Sequence, residues 1–236
     1  MRILAGQYKG RLLTMPRGIR PTQGKVRKAI LDTLGERIVE ARCLDLYAGS
    51  GAVGFEMLSW GAAHVTFVEQ HPISIRTILE NAQGLASHLP KVYQRFGFER
   101  RSSECETGVE KQPGAHGLFS TRRPSASSLE QETHRLHASG VPGLPVQIIR
   151  DDVLRAIPRL AATGERFDVI FFDPPYSQGL IADCLQTLDH HVIVAANFHL
   201  IVQGFWRDQF PEDFRCFQQQ KLVRYGDTTV AWYGPT

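Results

Sequence analysis

The run Val169-Ile-Phe-Phe-Asp173-Pro174-Pro175-Tyr176 constrains this chain more than any other stretch. A β-branched and aromatic segment stops at an acid, two prolines and a tyrosine. Proline has no N–H to give a sheet ladder, so the strand ends there. The residue before each proline is held extended, which stiffens the loop. The tip of a buried strand thus presents a carboxylate, rigid carbonyls and an aromatic face. Ligands of open α/β sheets bind at that edge. A carboxylate and a carbonyl are two acceptors, matching the two N–H bonds of an exocyclic base amine. A tyrosine ring beside them can stack on the base. Asp-Pro and Pro-Pro alone would suit a plain surface turn. The four residues together, after such a strand, favour a site made by Asp173, Pro174, Pro175 and Tyr176.

Strands and helices alternate from Cys43 onward. The pattern predicts strands at 43–47, 65–68, 146–149 and 167–172. It predicts helices at 52–60, 73–85, 153–162 (interrupted near Pro158) and about 178–188. This succession argues for a doubly wound, mostly parallel sheet. Val192–Ala196 and Leu200–Gln203 compete to be the fifth strand, and the second is favoured. Lys221–Tyr225 and Thr228–Tyr233, joined by Gly226-Asp227, read as a closing hairpin. Upstream, 2–5 and 11–15 read as a β-hairpin. Thr22 stands as a helix N-cap, and Val26, Ala29, Ile30, Leu31 and Leu34 form a helical stripe stopped by Gly35.

Residues 99–145 break the rhythm. Between Ser102 and Gly143 large apolar residues are sparse among Ser, Glu, Gly, Pro, Arg and His. Such a segment buries too little to offset its ordering entropy, so it is expected to be a disordered insertion. The chain accordingly reads as a basic N-terminal hairpin and helix over 1–40 and an α/β domain over 41–236.

Leu44-Asp45-Leu46-Tyr47-Ala48-Gly49-Ser50-Gly51-Ala52-Val53-Gly54 is a strand, a glycine turn and a helix start. Gly49, Gly51 and Gly54 satisfy GxGxxG, and Glu69 follows at the ribose-binding position. The spacing serves a dinucleotide or S-adenosylmethionine equally. Asp45 tilts the choice, because an acid at the first strand's cleft end repels a pyrophosphate but can engage a methionine ammonium. Bracing a loop or capping a helix would explain it too. Asp152, after the third strand, is placed near an adenine, although a plain N-cap also accounts for it. Asp173 completes a series of acids at successive strand ends. Tyr47 reads equally as a pocket wall or a core aromatic.

Charge is distributed unevenly. Residues 1–28 hold Arg2, Lys9, Arg11, Arg17, Arg20, Lys25, Arg27 and Lys28 and no acid, within a chain of net charge +3. A basic arm on a mildly acidic body suits a polyanion. No apolar run approaches the roughly 20 residues of a membrane span. The N-terminus lacks a secretory core, and the four scattered cysteines form no CxxC pair, so a reduced, cytoplasmic protein without a metal is expected.

These motifs resemble the RsmD family of 16S ribosomal RNA guanine-N2 methyltransferases. The similarity runs through Met1-Arg-Ile-Leu-Ala-Gly with Tyr8-Lys-Gly-Arg, and Arg20-Pro-Thr with Val26-Arg27. It continues through Leu44–Gly54, Phe67-Val-Glu, Phe171-Phe-Asp-Pro-Pro-Tyr and Arg224-Tyr-Gly-Asp-Thr. The resemblance implies a Rossmann-like fold with a seven-stranded sheet, an antiparallel C-terminal hairpin and an N-terminal hairpin and helix. It implies that Asp45, the Gly49-Ser50-Gly51 turn, Glu69 and Asp152 bind S-adenosyl-L-methionine, beside which Tyr47 is expected to line the pocket, and that the Asp173–Tyr176 loop holds guanine. It gives ribosomal RNA, or an assembling small subunit, as partner of the basic segment. Lys28 and Leu31 depart from the family's usual Glu and Phe, and Gln203-Gly204 from its acidic or His ending of the fifth strand. Nothing in the sequence requires a dimer. An adenine-N6 methyltransferase, a nicotinamide dehydrogenase and a non-catalytic RNA-binding module are the competing readings.

Overall fold

The computed structural model describes residues 1–16, 23–87, 138–176 and 178–236. The eight strands among them are β1 (Arg42–Leu46), β2 (His64–Glu69), β3 (Ala138–Val141), β4 (Leu144–Arg150), β5 (Phe167–Phe172), β6 (Val194–Phe205), β7 (Phe217–Tyr225) and β8 (Thr228–Pro235). They form one sheet in the order β3-β4-β2-β1-β5-β6-β8-β7. The five strands β4-β2-β1-β5-β6 are parallel, and β3, β8 and β7 are antiparallel to their neighbours. The helices are α1 (Gly24–Leu34), α2 (Ala52–Ser59), α3 (Pro72–Ala86), α4 (Val153–Ala162) and α5 (Leu180–His190).

The chain winds outward from β1 through β2 to β4, then returns to place β5 on the other side of β1. Strand order therefore reverses between β1 and β5. The loops leaving their carboxyl ends diverge there and leave a crevice. Leu46 pairs with Phe172 on the last rung. The next residues, Tyr47 and Asp173, enter the crevice together.

Alternating side chains divide each central strand between two cores. Cys43, Val169 and Phe171 face one core with Val53, Phe55 and Phe67. Leu44, Leu46, Ile170 and Phe172 face the other with Val153, Ile157 and Leu185. Ile3, Tyr8, Leu13, Val26 and Ile30 belong to the first core, so the N-terminal segment packs on the α2 side of the sheet.

Several expectations are corrected. The sheet has eight strands, because β3 pairs with β4. Residues 138–145, expected to lie within the insertion, belong to the β3–β4 hairpin.

 The 99–137 part of the expected insertion, and Thr22, lie outside the described residues. Strand β6 runs unbroken from Val194 to Phe205, so the two competing segments are one strand. Helix α4 is continuous through Pro158. The N-terminal hairpin is present as a short antiparallel pairing centred on the Arg2–Leu12 bridge, with the Ile3 N–H donating to the Arg11 carbonyl at 3.0 Å and the Leu13 N–H to the Met1 carbonyl at 2.7 Å.

Arg27 is the largest correction. It is only 2% exposed, and its Nε donates to Oε1 of the wholly buried Glu56 on α2 at 3.0 Å. The same carboxylate accepts the Leu4 N–H at 2.9 Å. Arg27 therefore fastens α1 and the N-terminus to α2 and is withheld from any phosphate. Burial pushes the Glu56 carboxyl up, opposed by the Leu4 N–H and Arg27. Removing one partner of such a pair strands a buried charge. Arg27→Ala is expected to cost about 3–5 kcal/mol in urea unfolding, with Arg27→Met/Glu56→Leu recovering much of the loss.

Candidate active site

The β1–α2 turn is built from backbone that ordinary residues avoid. Tyr47, Gly49 and Gly51 have φ of 55°, 57° and 75°. At Gly51 a Cβ would lie 2.7 Å from Phe55 Cε2, and at Gly54 one would lie 2.2 Å from Phe67 Cε1. The glycines let α2 start hard against β2. The Gly54 N–H donates to Asp45 Oδ2 at 2.9 Å. Asp45 is 2% exposed, and burial raises its carboxyl pKa well above the usual range, with Asp173 and Glu69 adding to the rise and the Gly54 N–H opposing it. The hydrogen bond to Gly54 is thus the brace that the sequence left open beside ligand binding.

Glu69 organises the turn from the end of β2. Oε2 accepts the Gly49 N–H at 2.8 Å, and Oε1 accepts the Gln70 and His71 N–H groups, each at 2.8 Å. A carboxylate has about four acceptor positions. Three backbone donors fix its orientation and leave capacity for a hydroxyl.

Tyr47, Gly49 and Glu69 share a cavity of about 610 Å³ with Asp173, Pro174, Pro175 and Tyr176. The two motifs read from the sequence therefore meet in one space. Its volume lies within the range of small-molecule sites. Gln70, His71, Pro72 and Ser74 complete the wall. Ser74 Oγ is buried without a hydrogen-bond partner among the described residues. A polar wall atom of this kind, with the Glu69 acceptor and the glycine turn, fits a bound nucleoside. Burial raises the Tyr47 hydroxyl pKa.

Asp45, Ser50, Gly51 and Asp152 do not line this cavity. Ser50 is buried, and its carbonyl accepts from Asn81 Nδ2 at 3.1 Å. Asp152 caps α4 by accepting the Leu154 N–H at 3.0 Å. Of the basic residues, Arg2, Lys9, Arg11, Lys25 and Lys28 are exposed. Lys28 also pairs with Asp32 at 2.5 Å. Arg17 and Arg20 lie outside the described residues.

Gln203 was not singled out as a site residue. It is 2% exposed, near the end of β6, and its Nε2 donates to Asp173 Oδ2 at 2.5 Å. Its Oε1 is buried without a partner among the described residues. The pairing of Phe172 with Val202 brings it beside Asp173. Its departure from the family's usual residue was the available signal.

Comparison with known proteins gives the chain its relatives. The profile of the family described as "Conserved hypothetical protein 95" matches residues 1–110 and 117–234. A candidate rRNA methyltransferase of Bacillus subtilis, YlbH, is 26% identical over 235 residues, covering 99% of this chain and 98% of that protein. Ribosomal RNA small subunit methyltransferase D of Escherichia coli is 42% identical over 83 residues, 34% of this chain and 42% of that protein. Among solved structures, the Escherichia coli methyltransferase candidate yhhF matches with a TM-score of 0.66 and 22% identity, over 100% of this chain and 97% of that one. The Thermus thermophilus 16S rRNA N2 G1207 methyltransferase, in complex with AdoMet and guanosine, matches with a TM-score of 0.58 and 16% identity, over 100% of this chain and 49% of that one. At these identities the structural likenesses establish the Rossmann-like fold.

The glycine geometry has a direct test. Gly54→Ala should lower stability by about 1–3 kcal/mol, as overpacking does. Gly84→Ala, in open space within α3, should raise it by roughly 0.5–1 kcal/mol. Chemical denaturation of the two variants checks the contrast.

Proposed function

The chain belongs to the conserved hypothetical protein 95 family, the RsmD family, and from that premise we propose that it methylates ribosomal RNA using S-adenosylmethionine, at the exocyclic N2 amine of a guanine in the small-subunit RNA. The observation that carries this reading is the single cavity joining the Gly49 turn and Glu69 to the Asp173–Tyr176 loop. When bound, S-adenosylmethionine supplies an electrophilic methyl on a sulfonium. The chain's own residues do the rest.

Glu69 and the turn at Gly49 hold the nucleoside part of the cofactor, with Tyr47 and Ser74 on the walls. Asp45, behind the turn, favours a cationic amino group through water. Asp152, at the start of α4, keeps the role of an adenine-side acid in this reading. The guanine amine is a poor nucleophile, because its lone pair is delocalised into the ring. The Asp173 carboxylate and the Pro174 carbonyl accept its two N–H bonds and turn the lone pair toward the methyl. Positioning of this kind is worth roughly 7–11 kcal/mol of a barrier. Asp173 also faces the positive charge that develops on nitrogen. The proton then leaves to Asp173 or to water. Pro175 stiffens the loop, and Tyr176 stacks on the base. Extrusion of a paired base costs a few kcal/mol, which favours an exposed guanine as target. The exposed cations of the N-terminal segment, Arg2, Lys9, Arg11, Lys25 and Lys28, with Arg17 and Arg20, grip the RNA backbone.

Gln203 acts as a positioning residue. Its amide holds the Asp173 carboxylate as an acceptor and fixes its rotamer.

Asp173→Ala should lower kcat by at least about 10²-fold, with cofactor affinity by calorimetry nearly unchanged. Equal activity would refute the role. Gln203→Glu puts a second carboxyl against Asp173. Like charges raise the pKa of such a pair, so ionised Asp173 persists only at higher pH. The acid limb of the pH–kcat profile should move upward in pH relative to wild type. An unmoved limb would remove Gln203 from the mechanism.

A further inference from the structure

Beyond the cavity, a row of rings leads from the Asp173–Tyr176 loop to the surface. Tyr176 stacks against Phe205 with centroids 5.9 Å apart, and Phe205 meets Trp206 at another 5.9 Å. Trp206 is 37% exposed, just past the end of β6. Its backbone N–H donates to the Asp227 carbonyl at 3.0 Å, which anchors the turn on the β7–β8 hairpin. Two guanidiniums lie over its indole, Arg207 at 4.6 Å from the ring centroid and Arg224 at 4.3 Å. Both arginines are exposed, and neither forms an ion pair with a carboxylate among the described residues.

This arrangement asks for an anion. The ring quadrupole draws each cation, but two like charges on one ring repel. A phosphate beside them relieves that repulsion. Trp206 and Arg224 also border a hollow of about 310 Å³ with the exposed Leu222. Its acids are Asp208 and Glu212. Asp208 Oδ2 accepts the Phe205 N–H at 2.7 Å, so it braces the turn. Aromatic surface, planar guanidiniums and positive charge together match a nucleotide: bases stack on aromatic rings and on arginine planes.

We propose that Trp206, Arg207 and Arg224 form a landing platform for the nucleotide adjoining the target guanine. The inference rests on the RNA reading of the cavity. A guanine seated at Tyr176 continues into its own backbone, and the ring row leads from Tyr176 to this patch. The platform is distinct from the basic N-terminal segment. The strand is held on the β6–β8 side of the site as well as by the N-terminal cations.

The test uses the full chain. Quenching of tryptophan emission by a ten-nucleotide oligouridylate should be clear in wild type and lost in Trp206→Phe, which retains Trp60 and Trp232. In methyl transfer to a small-subunit RNA fragment, Trp206→Ala should raise KM by roughly 5- to 150-fold, the range spanned by base–aromatic stacking, with kcat little changed. Trp206→Phe should recover most of that loss. Arg207→Gln/Arg224→Gln should flatten the dependence of log affinity on log salt by about 1.4, at roughly 0.7 per phosphate contact. Unchanged KM and salt slope, with quenching equal in wild type and Trp206→Phe, would overturn the platform. If wild type methylates no RNA, the reading of the cavity fails, and the quenching result still decides the platform.

Discussion

The parallel pairing of β1 with β5 is the constraint on which the rest depends. Only at this pair does the sheet change its winding direction, so only here do neighbouring strands send their loops apart. The Leu46–Phe172 rung delivers Tyr47 and Asp173 side by side. Everything chemical hangs from the two loops that follow. One is shaped by glycines and tied to β2 through Glu69. The other is stiffened by two prolines and tied to β6 through Gln203. The site is therefore held from both flanking strands, and its acceptors are oriented before any ligand arrives.

The N-terminal segment serves two purposes that its charge alone does not separate. Its apolar residues complete the core on the α2 side, and Arg27 is spent on the buried Glu56. Its other described cations stay at the surface. Asn81 links this segment to the glycine turn, accepting the Thr14 N–H at 2.7 Å and donating to the Ser50 carbonyl at 3.1 Å. The N-terminal segment is thereby joined by hydrogen bonds to the glycine turn.

What was legible in the sequence was local. The apolar run before Asp173, the GxGxxG turn and the acid at Glu69 each announce themselves within a few residues, and their meeting in one cavity follows from the α/β order. Features that depend on distant partners were not legible. β3 exists because Ala138–Val141 finds β4, and its own composition is undistinguished. β6 crosses polar Asn197 and His199 because β5 pairs with it on both sides of them, at Val194 and again from His199 onward. Arg27 looked like its basic neighbours, since nothing nearby reveals that Glu56 waits for it across the core. Asp45 and Asp152 had structural explanations available from the start, and their bonds to the Gly54 and Leu154 N–H groups are those explanations. Gln203 lies in register with the end of β5, a relation only the folded sheet supplies.

The central claim is that Asp173 and Pro174 present a base amine to a methyl donor held at the Gly49 turn. Its most direct test is nucleoside mass analysis of small-subunit ribosomal RNA from cells lacking the protein, after incubation with purified protein and S-adenosylmethionine. The account predicts that one N2-methylguanosine is missing beforehand and restored by the protein. Restoration of N6-methyladenosine instead, or no methyl incorporation at all, would contradict it.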